Sequence, residues 1–99
     1  MKTDQPLFLN EEQVREHLRM TELIPAMEKA LIDFSAGKVT QPVRSVIPVD
    51  PPGGFFGMMP ARTPEGLGIK LVTFYPPNAQ RGIPTHMATI SLLDRKSVV

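Results

Sequence analysis

From Gln41 onward, proline and glycine cut the chain into apolar stretches too short for helices, and this punctuation constrains the fold more than any other feature. The segments 43–49, 55–59, 67–75 and 86–93 are rich in β-branched, aromatic and methionine residues and read as strands. Asp50-Pro51-Pro52-Gly53-Gly54 is a turn between the first two, and Pro76 to Pro84 is a loop between the last two. Connections this short leave no room for the long crossovers of a parallel sheet. An antiparallel meander is the expected result.

The first third of the chain has a different texture. Leu7-Phe8-Leu9 reads as a short strand, after which Asn10 offers an N-cap with Gln13 three residues on, the pattern of a capping box. In the helix so started, Glu11 and Arg15 form an i,i+4 pair, with Val14 and Leu18 facing inward. A second helix starts near Thr21 and carries Leu23, Met27, Ala30, Leu31 and Phe34 at helical spacing. Pro25 is expected in its first turn, and Gly37 in a left-handed C-cap. Both helices are amphipathic and need a surface to pack on. The expected fold class is α+β, with N-terminal helices packed on one face of a mainly antiparallel sheet.

At 99 residues the chain is one domain or part of one, short for an enzyme that also binds a dinucleotide. It has no cysteine, no apolar run near the roughly 20 residues of a membrane span, and no signal-like apolar stretch after Met1. A soluble, cytoplasmic protein is the expectation. Net charge is +1, but residues 1–36 hold seven acids against four bases, and residues 37–99 hold three acids against seven bases. The strand-rich part is thus +4, which favours an anionic ligand there. Its bases are scattered, and one tyrosine with no tryptophan gives no stacking platform, so neither a nucleic-acid nor a membrane partner is expected.

The residue with most chemical content is Lys70, a cation inside the run Leu67-Gly68-Ile69-Lys70-Leu71-Val72-Thr73-Phe74-Tyr75. Strand alternation puts Gly68, Lys70, Val72 and Phe74 on one side and Leu67, Ile69, Leu71 and Thr73 on the other. A buried or half-buried ammonium in such surroundings needs an anion, which makes Lys70 a candidate anchor for a carboxylate; otherwise its head snorkels to water. Arg44 offers a guanidinium able to grip a carboxylate through two parallel hydrogen bonds, with the same bland alternative. Met58 and Met59 can line an adaptable pocket or serve as core and interface residues. Thr85 and His86 can hydrogen-bond a substrate, and His86 can serve as a proton donor, though a lone histidine at a strand start is more often structural. His17 reads as a surface residue. The two histidines lack ligand-spaced neighbours, so no metal site is expected, and no Gly-x-Gly-x-x-Gly precedes a helix, so the chain has no dinucleotide fingerprint.

Taken in order, Phe8-Leu9 with Glu12 and Val14, Phe34-Ser35-Ala36-Gly37-Lys38, Gln41-Pro42-Val43-Arg44, Gly54 to Ala61, Lys70 to Tyr75 and Pro84 to Thr89 resemble the ornithine cyclodeaminase/mu-crystallin family, and most of all its ketimine reductase branch. The resemblance covers nearly the whole chain. It implies that residues 1–99 are an N-terminal substrate-binding and dimerisation domain, incomplete without the Rossmann domain for NADH or NADPH that follows in the family. It implies further that Arg44, in Gln-Pro-x-Arg, binds the substrate carboxylate. Lys70, in Lys-x-Val-Thr, meets the carboxylate or the reacting carbon–nitrogen bond and is the catalytic candidate. Met59 lies beside the pocket, and Thr85 with His86 shapes it.

The implied function is that of part of an NAD(P)-dependent reductase or cyclodeaminase acting on a cyclic imine or amino acid, as a homodimer. The alternatives are a non-catalytic binder of iodothyronine-like ligands and an inactive dimerisation fragment. After the last strand the family pattern calls for an alanine- and threonine-rich helix, a glycine-rich nucleotide loop and a proton-transferring aspartate. Arg95-Lys96-Ser97-Val98-Val99 does not continue that pattern. The 99 residues are accordingly expected to bind no cofactor and to be inactive alone, as a truncated sequence or a divergent short product.

Overall fold

A computed structural model describes residues 7–51 and 53–93. Pro52 of the expected turn, the start of the chain and its last six residues lie outside that description, as do the expectations that fell on them. The chain divides into two units, Met1–Ile32 and Asp33–Val99.

The first unit opens on helix α1, Glu11–His17, whose capping box is complete. The Gln13 amide donates to Asn10 Oδ1 at 2.9 Å, and the Asn10 amide donates back to Gln13 Oε1 at 2.8 Å. Two donors that a helix start leaves without intrahelical partners are thereby satisfied. Arg15 and Glu11 pair at 2.9 Å, with both side chains in solvent. Asn10→Ala is expected to cost α1 about 1 kcal/mol. Faster hydrogen exchange at the Gln13 amide would report it, and unchanged exchange would contradict the cap.

Leu7-Phe8-Leu9 is not a strand. Extended backbone becomes a strand only by pairing, and among the described residues nothing pairs with it. Val14 and Leu18, expected to face inward, are exposed, because a helix of two turns has no layer of its own to cover them.

Helix α2, Met20–Ser35, begins one residue before the expected start and leads into the second unit. Pro25 therefore sits inside the helix rather than in its first turn, where its missing N–H leaves the Thr21 carbonyl without the usual donor four residues on. At the other end Gly37 adopts φ +77°, and the Lys38 amide reaches the Asp33 carbonyl at 2.9 Å, the wrap-around bond of a left-handed cap.

The second unit is a four-stranded sheet in chain order: β1 Ser45–Val49, β2 Gly54–Thr63, β3 Gly66–Phe74 and β4 His86–Leu93. All three pairings are antiparallel, so the architecture is α+β with a simple meander. β1 is two residues shorter than expected. β2 is longer, running through Pro60 to Thr63, and the β3–β4 connection contains a short 3-10 helix, Pro76–Arg81, closed by Gly82 at φ +71°.

The phase of the hydrogen bonds explains where prolines are tolerated. Arg62 and Thr40 exchange amide–carbonyl bonds of 2.8 and 2.9 Å, so the even-numbered residues of β2 turn their backbone groups toward the β1 side. Pro60 is one of them, and it lies past the last β1 pair, Ser45↔Met58, where no ladder bond is lost. By the same alternation the ring nitrogen of Pro48 faces the open side of β1. No apolar side chain is buried among the described residues; the one buried polar side chain is Asp33.

Candidate functional site

Register places the candidate residues. Met59 stands opposite Lys70, and Lys70 opposite Ile90, so these three form one row across β2, β3 and β4 on a single face. Gly68, Val72 and Phe74 share that face with Lys70, as strand alternation predicts. Arg44 directly precedes β1 and lies next to the pair Ser45↔Met58, at the β1 end of the row. Strand spacing puts its backbone on the order of 10 Å from that of Lys70, a gap that two long cationic side chains can close on a shared anion. Met58 points to the opposite face, which separates the two methionines that the sequence presents together.

Lys70 is exposed, not buried or half-buried. Its surroundings give the reason. On its own face the nearest positions along and across the strands include Gly57, Ala61, Gly68 and Ala88, side chains too small to stand over an ammonium. The glycines have reasons of their own to be small: a Cβ on Gly68 would come within 2.8 Å of the Ser91 carbonyl, and one on Gly57 within 3.1 Å of Val72 Cγ1. Strand alternation puts Gly68 on this face from the sequence alone, a glycine inside a strand segment that marks close approach; Gly57, Ala61 and Ala88 come to it only through the register of the sheet. An exposed ammonium keeps its hydration while free and exchanges it for a carboxylate on binding. That arrangement suits reversible capture better than permanent pairing.

Thr85 and His86 sit at the start of β4, where His86 pairs with Phe74. The Thr85 hydroxyl lies 3.0 Å from His86 Nδ1, and the imidazole ring is 4.2 Å from the Phe74 ring centre, tilted by 31°. Phe74, a residue whose contact with His86 the sequence did not reveal, therefore fixes the imidazole from one side while Thr85 holds its nitrogen. Upstream, Asn78 Nδ2 donates to the Pro84 carbonyl at 3.1 Å, and the Tyr75 amide donates to the Thr85 carbonyl at 2.8 Å, which pins the entry to β4. Phe74 lies four positions along β3 from Lys70, about 13 Å of strand. The structure thus brings Met59 to Lys70, with Arg44 at the end of their row, and holds Thr85 with His86 as a second group farther along the same strands.

The remaining chemistry is sparse. Among the described residues no three His, Cys, Asp or Glu side chains gather as a metal site, and no helix is long and apolar enough to cross a membrane. A concavity along α1 is lined by Asn10, Glu11, Glu12, Arg15 and Glu16. Its excess of carboxylates repels the anion that the sheet face attracts. His17 Nδ1 lies 2.8 Å from the Gln13 carbonyl within its own helix, a local contact.

Comparison with known proteins adds the following. The family model described as "Ornithine cyclodeaminase/mu-crystallin family" matches residues 4–98. Mouse ketimine reductase mu-crystallin is 45% identical over 95 residues, covering 90% of this chain and 30% of the mouse protein. A Delta(1)-pyrroline-2-carboxylate/Delta(1)-piperideine-2-carboxylate reductase of Azospirillum brasilense is 32% identical over 72 residues, covering 73% of this chain and 23% of that protein. Among solved structures, Thermococcus litoralis Delta(1)-pyrroline-2-carboxylate reductase in complex with NADH and L-proline superposes with a TM-score of 0.77 at 32% identity, over 85% of this chain and 27% of that one. An archaeal alanine dehydrogenase dimer with bound NAD superposes with a TM-score of 0.79 at 29% identity, over 88% of this chain and 27% of that one. The chain thus spans less than a third of the length of these relatives.

Proposed function

We propose, from the premise that the chain belongs to the ornithine cyclodeaminase/mu-crystallin family, that it supplies the carboxylate-binding half of an NAD(P)-dependent reductase for cyclic imines. The observation that carries this reading is the row Met59, Lys70 and Ile90 with Arg44 at its end, an exposed cationic strip with apolar company on one face of the sheet. A five- or six-membered cyclic imine with a carboxylate next to its C=N carbon presents matching groups. The carboxylate meets the guanidinium and the ammonium, and the ring methylenes lie against Met59. Fixing the carboxylate at two points orients the neighbouring carbon. Lys70 also holds a proton within reach of the imine nitrogen, which is the sense in which it is catalytic. Thr85 and His86 shape the far end of the site. The names of the mouse, bacterial and archaeal relatives support this substrate class.

The residues present do not fit a dinucleotide, for no glycine-rich phosphate loop precedes a helix in these 99 residues. NADH, which is bound in the Thermococcus litoralis reductase, or NADPH would supply the hydride in a longer protein, and the chain by itself is expected to turn over no nicotinamide. Oxidation or reduction by the isolated chain would overturn that. We read the chain as one half of a homodimer, supported by the dimeric archaeal alanine dehydrogenase that shares its fold.

The binding claim is tested on the chain itself by titrating L-proline and, in parallel, pyrrolidine, the same ring without the carboxylate. L-proline is expected to shift the NMR signals of Lys70, Met59 and Arg44, and pyrrolidine to leave them in place. Equal responses, or a response confined to α1, would remove the carboxylate site.

A further inference from the structure

Three rows of side chains lie next to one another on the Lys70 face. Two positions along the strands from Lys70 runs the row Val46, Gly57, Val72 and Ala88, and two positions farther the row Pro48, Phe55, Phe74 and His86. Successive rows are about 7 Å apart. The middle row has the smallest side chains, so it forms the floor of a trough between the wall that holds Lys70 and an aromatic one. That floor is uneven. Gly57 is buried, and a Cβ there would come within 3.1 Å of Val72 Cγ1, so a branch of Val72 already stands over it. Ala88 is exposed. Its methyl lies between His86 and Ile90 on its own strand, opposite Val72, with Lys70 and Phe74 on the diagonals. All five of these side chains are longer than that of alanine, and the low point of the face is therefore a notch over Ala88.

We propose that this notch takes the part of the ligand farthest from its carboxylate, and that Ala88 thereby sets the size of ring the site admits. The inference rests on the carboxylate reading above and adds a residue that discriminates among ligands. Diagonal neighbours in an antiparallel pair stand about 7–8 Å apart. A charge-assisted hydrogen bond of about 2.8 Å from the Lys70 ammonium, followed by the width of a five- or six-membered ring, covers that distance. The far methylenes then rest on the Ala88 methyl between Val72 and Ile90, and the flexible Met59 side chain covers the ring beside the carboxylate. His86 closes the notch on its remaining side. Thr85 at Nδ1 and the Phe74 ring hold the imidazole in place, so the notch keeps its width. Carbon added to the floor excludes carbon from the ligand, and one methylene in an apolar pocket is worth roughly tenfold or more in discrimination.

Ala88→Leu fills the notch, and NMR shift titration of the chain with L-proline, L-pipecolate and glycine reads the result. The three ligands carry the same amino-acid head, and glycine lacks the ring. The variant is expected to weaken L-proline and L-pipecolate by about tenfold or more and to leave glycine within about twofold. Ala88→Val, whose β-branched side chain suits a strand, fills less of the notch. It is expected to weaken L-pipecolate more than L-proline, a split that a misfolded sheet does not produce. Thr89→Leu adds comparable bulk to the opposite face and should leave all three ligands as in the unmodified chain. Ring amino acids that bind both Ala88 variants undiminished overturn the notch while the carboxylate reading stands. So does a loss of glycine equal to that of L-proline, because it places the effect on the amino-acid head. An unmodified chain that responds to none of the three overturns both.

Discussion

Lys70→Met is expected to weaken binding of a carboxylate ligand roughly tenfold to a hundredfold, the effect of losing about 1.5–3 kcal/mol of charge-assisted hydrogen bonding. The same substitution should leave the sheet as stable as before. Lys70 is exposed, and its replacement keeps an unbranched side chain on a face with small neighbours, so the change falls within the roughly ±0.5 kcal/mol usual at such positions. Calorimetric titration with L-proline measures the first quantity and urea unfolding the second. In a longer protein that contains the nucleotide-binding half, the variant should lose turnover while retaining nicotinamide binding, because nothing in the Lys70 row fits a dinucleotide. A variant that unfolds, or one that binds and turns over normally, would each defeat the assignment. Arg44→Lys separates the two cations further. It preserves charge but removes the planar fork, so a loss of binding there would show that the carboxylate is held bidentately rather than by field alone.

How much of this could be read from the residues follows from what kind of interaction decides each feature. Capping and turn chemistry are local, so Asn10 with Gln13, the C-cap at Gly37 and the succession of strands were all legible. The one-face grouping of Gly68, Lys70, Val72 and Phe74 was equally legible, since alternation needs no partner. Features settled by the partner strand were not. Pro60 argued for ending β2 at Met59, and only the early end of β1 makes a proline harmless there. Leu7-Phe8-Leu9 has the composition of a strand and lacks a neighbour to pair with. The exposure of Lys70 follows from small residues along and across the strands, of which its own strand discloses only Gly68. Likewise the pairing of Met59, and not Met58, with Lys70 is a matter of register, and shifting it by one residue would exchange their roles.

The sheet's most vulnerable point is Gly54, where Gly54→Ala is expected to destabilise the second unit by about 3 kcal/mol. A Cβ there would run into the backbone carbonyl of Phe74 and stand 2.6 Å from Tyr75 Cδ1. Side chains can turn aside, but the carbonyl moves only if the β2–β3 ladder opens at its end. Gly37→Ala is the fitting control. Its Cβ would meet nothing within 4 Å, and its φ of +77° alone sets a cost of about 1 kcal/mol. Urea unfolding of the two variants should therefore separate by about 2 kcal/mol, a large share of a marginal total. Equal midpoints would mean that β2 and β3 do not close as tightly as described. The consequence reaches the candidate site, because the same corner carries Phe55 opposite Phe74 and Phe74 against His86. Opening it should release the imidazole ring from its aromatic neighbour and shift the His86 NMR signals, while the Lys70 row, about 13 Å along the strand, keeps its pairing with Met59. A Gly54→Ala protein that retains L-proline binding but has lost the His86–Phe74 contact would show that the carboxylate anchor and the histidine end are separable parts of one face.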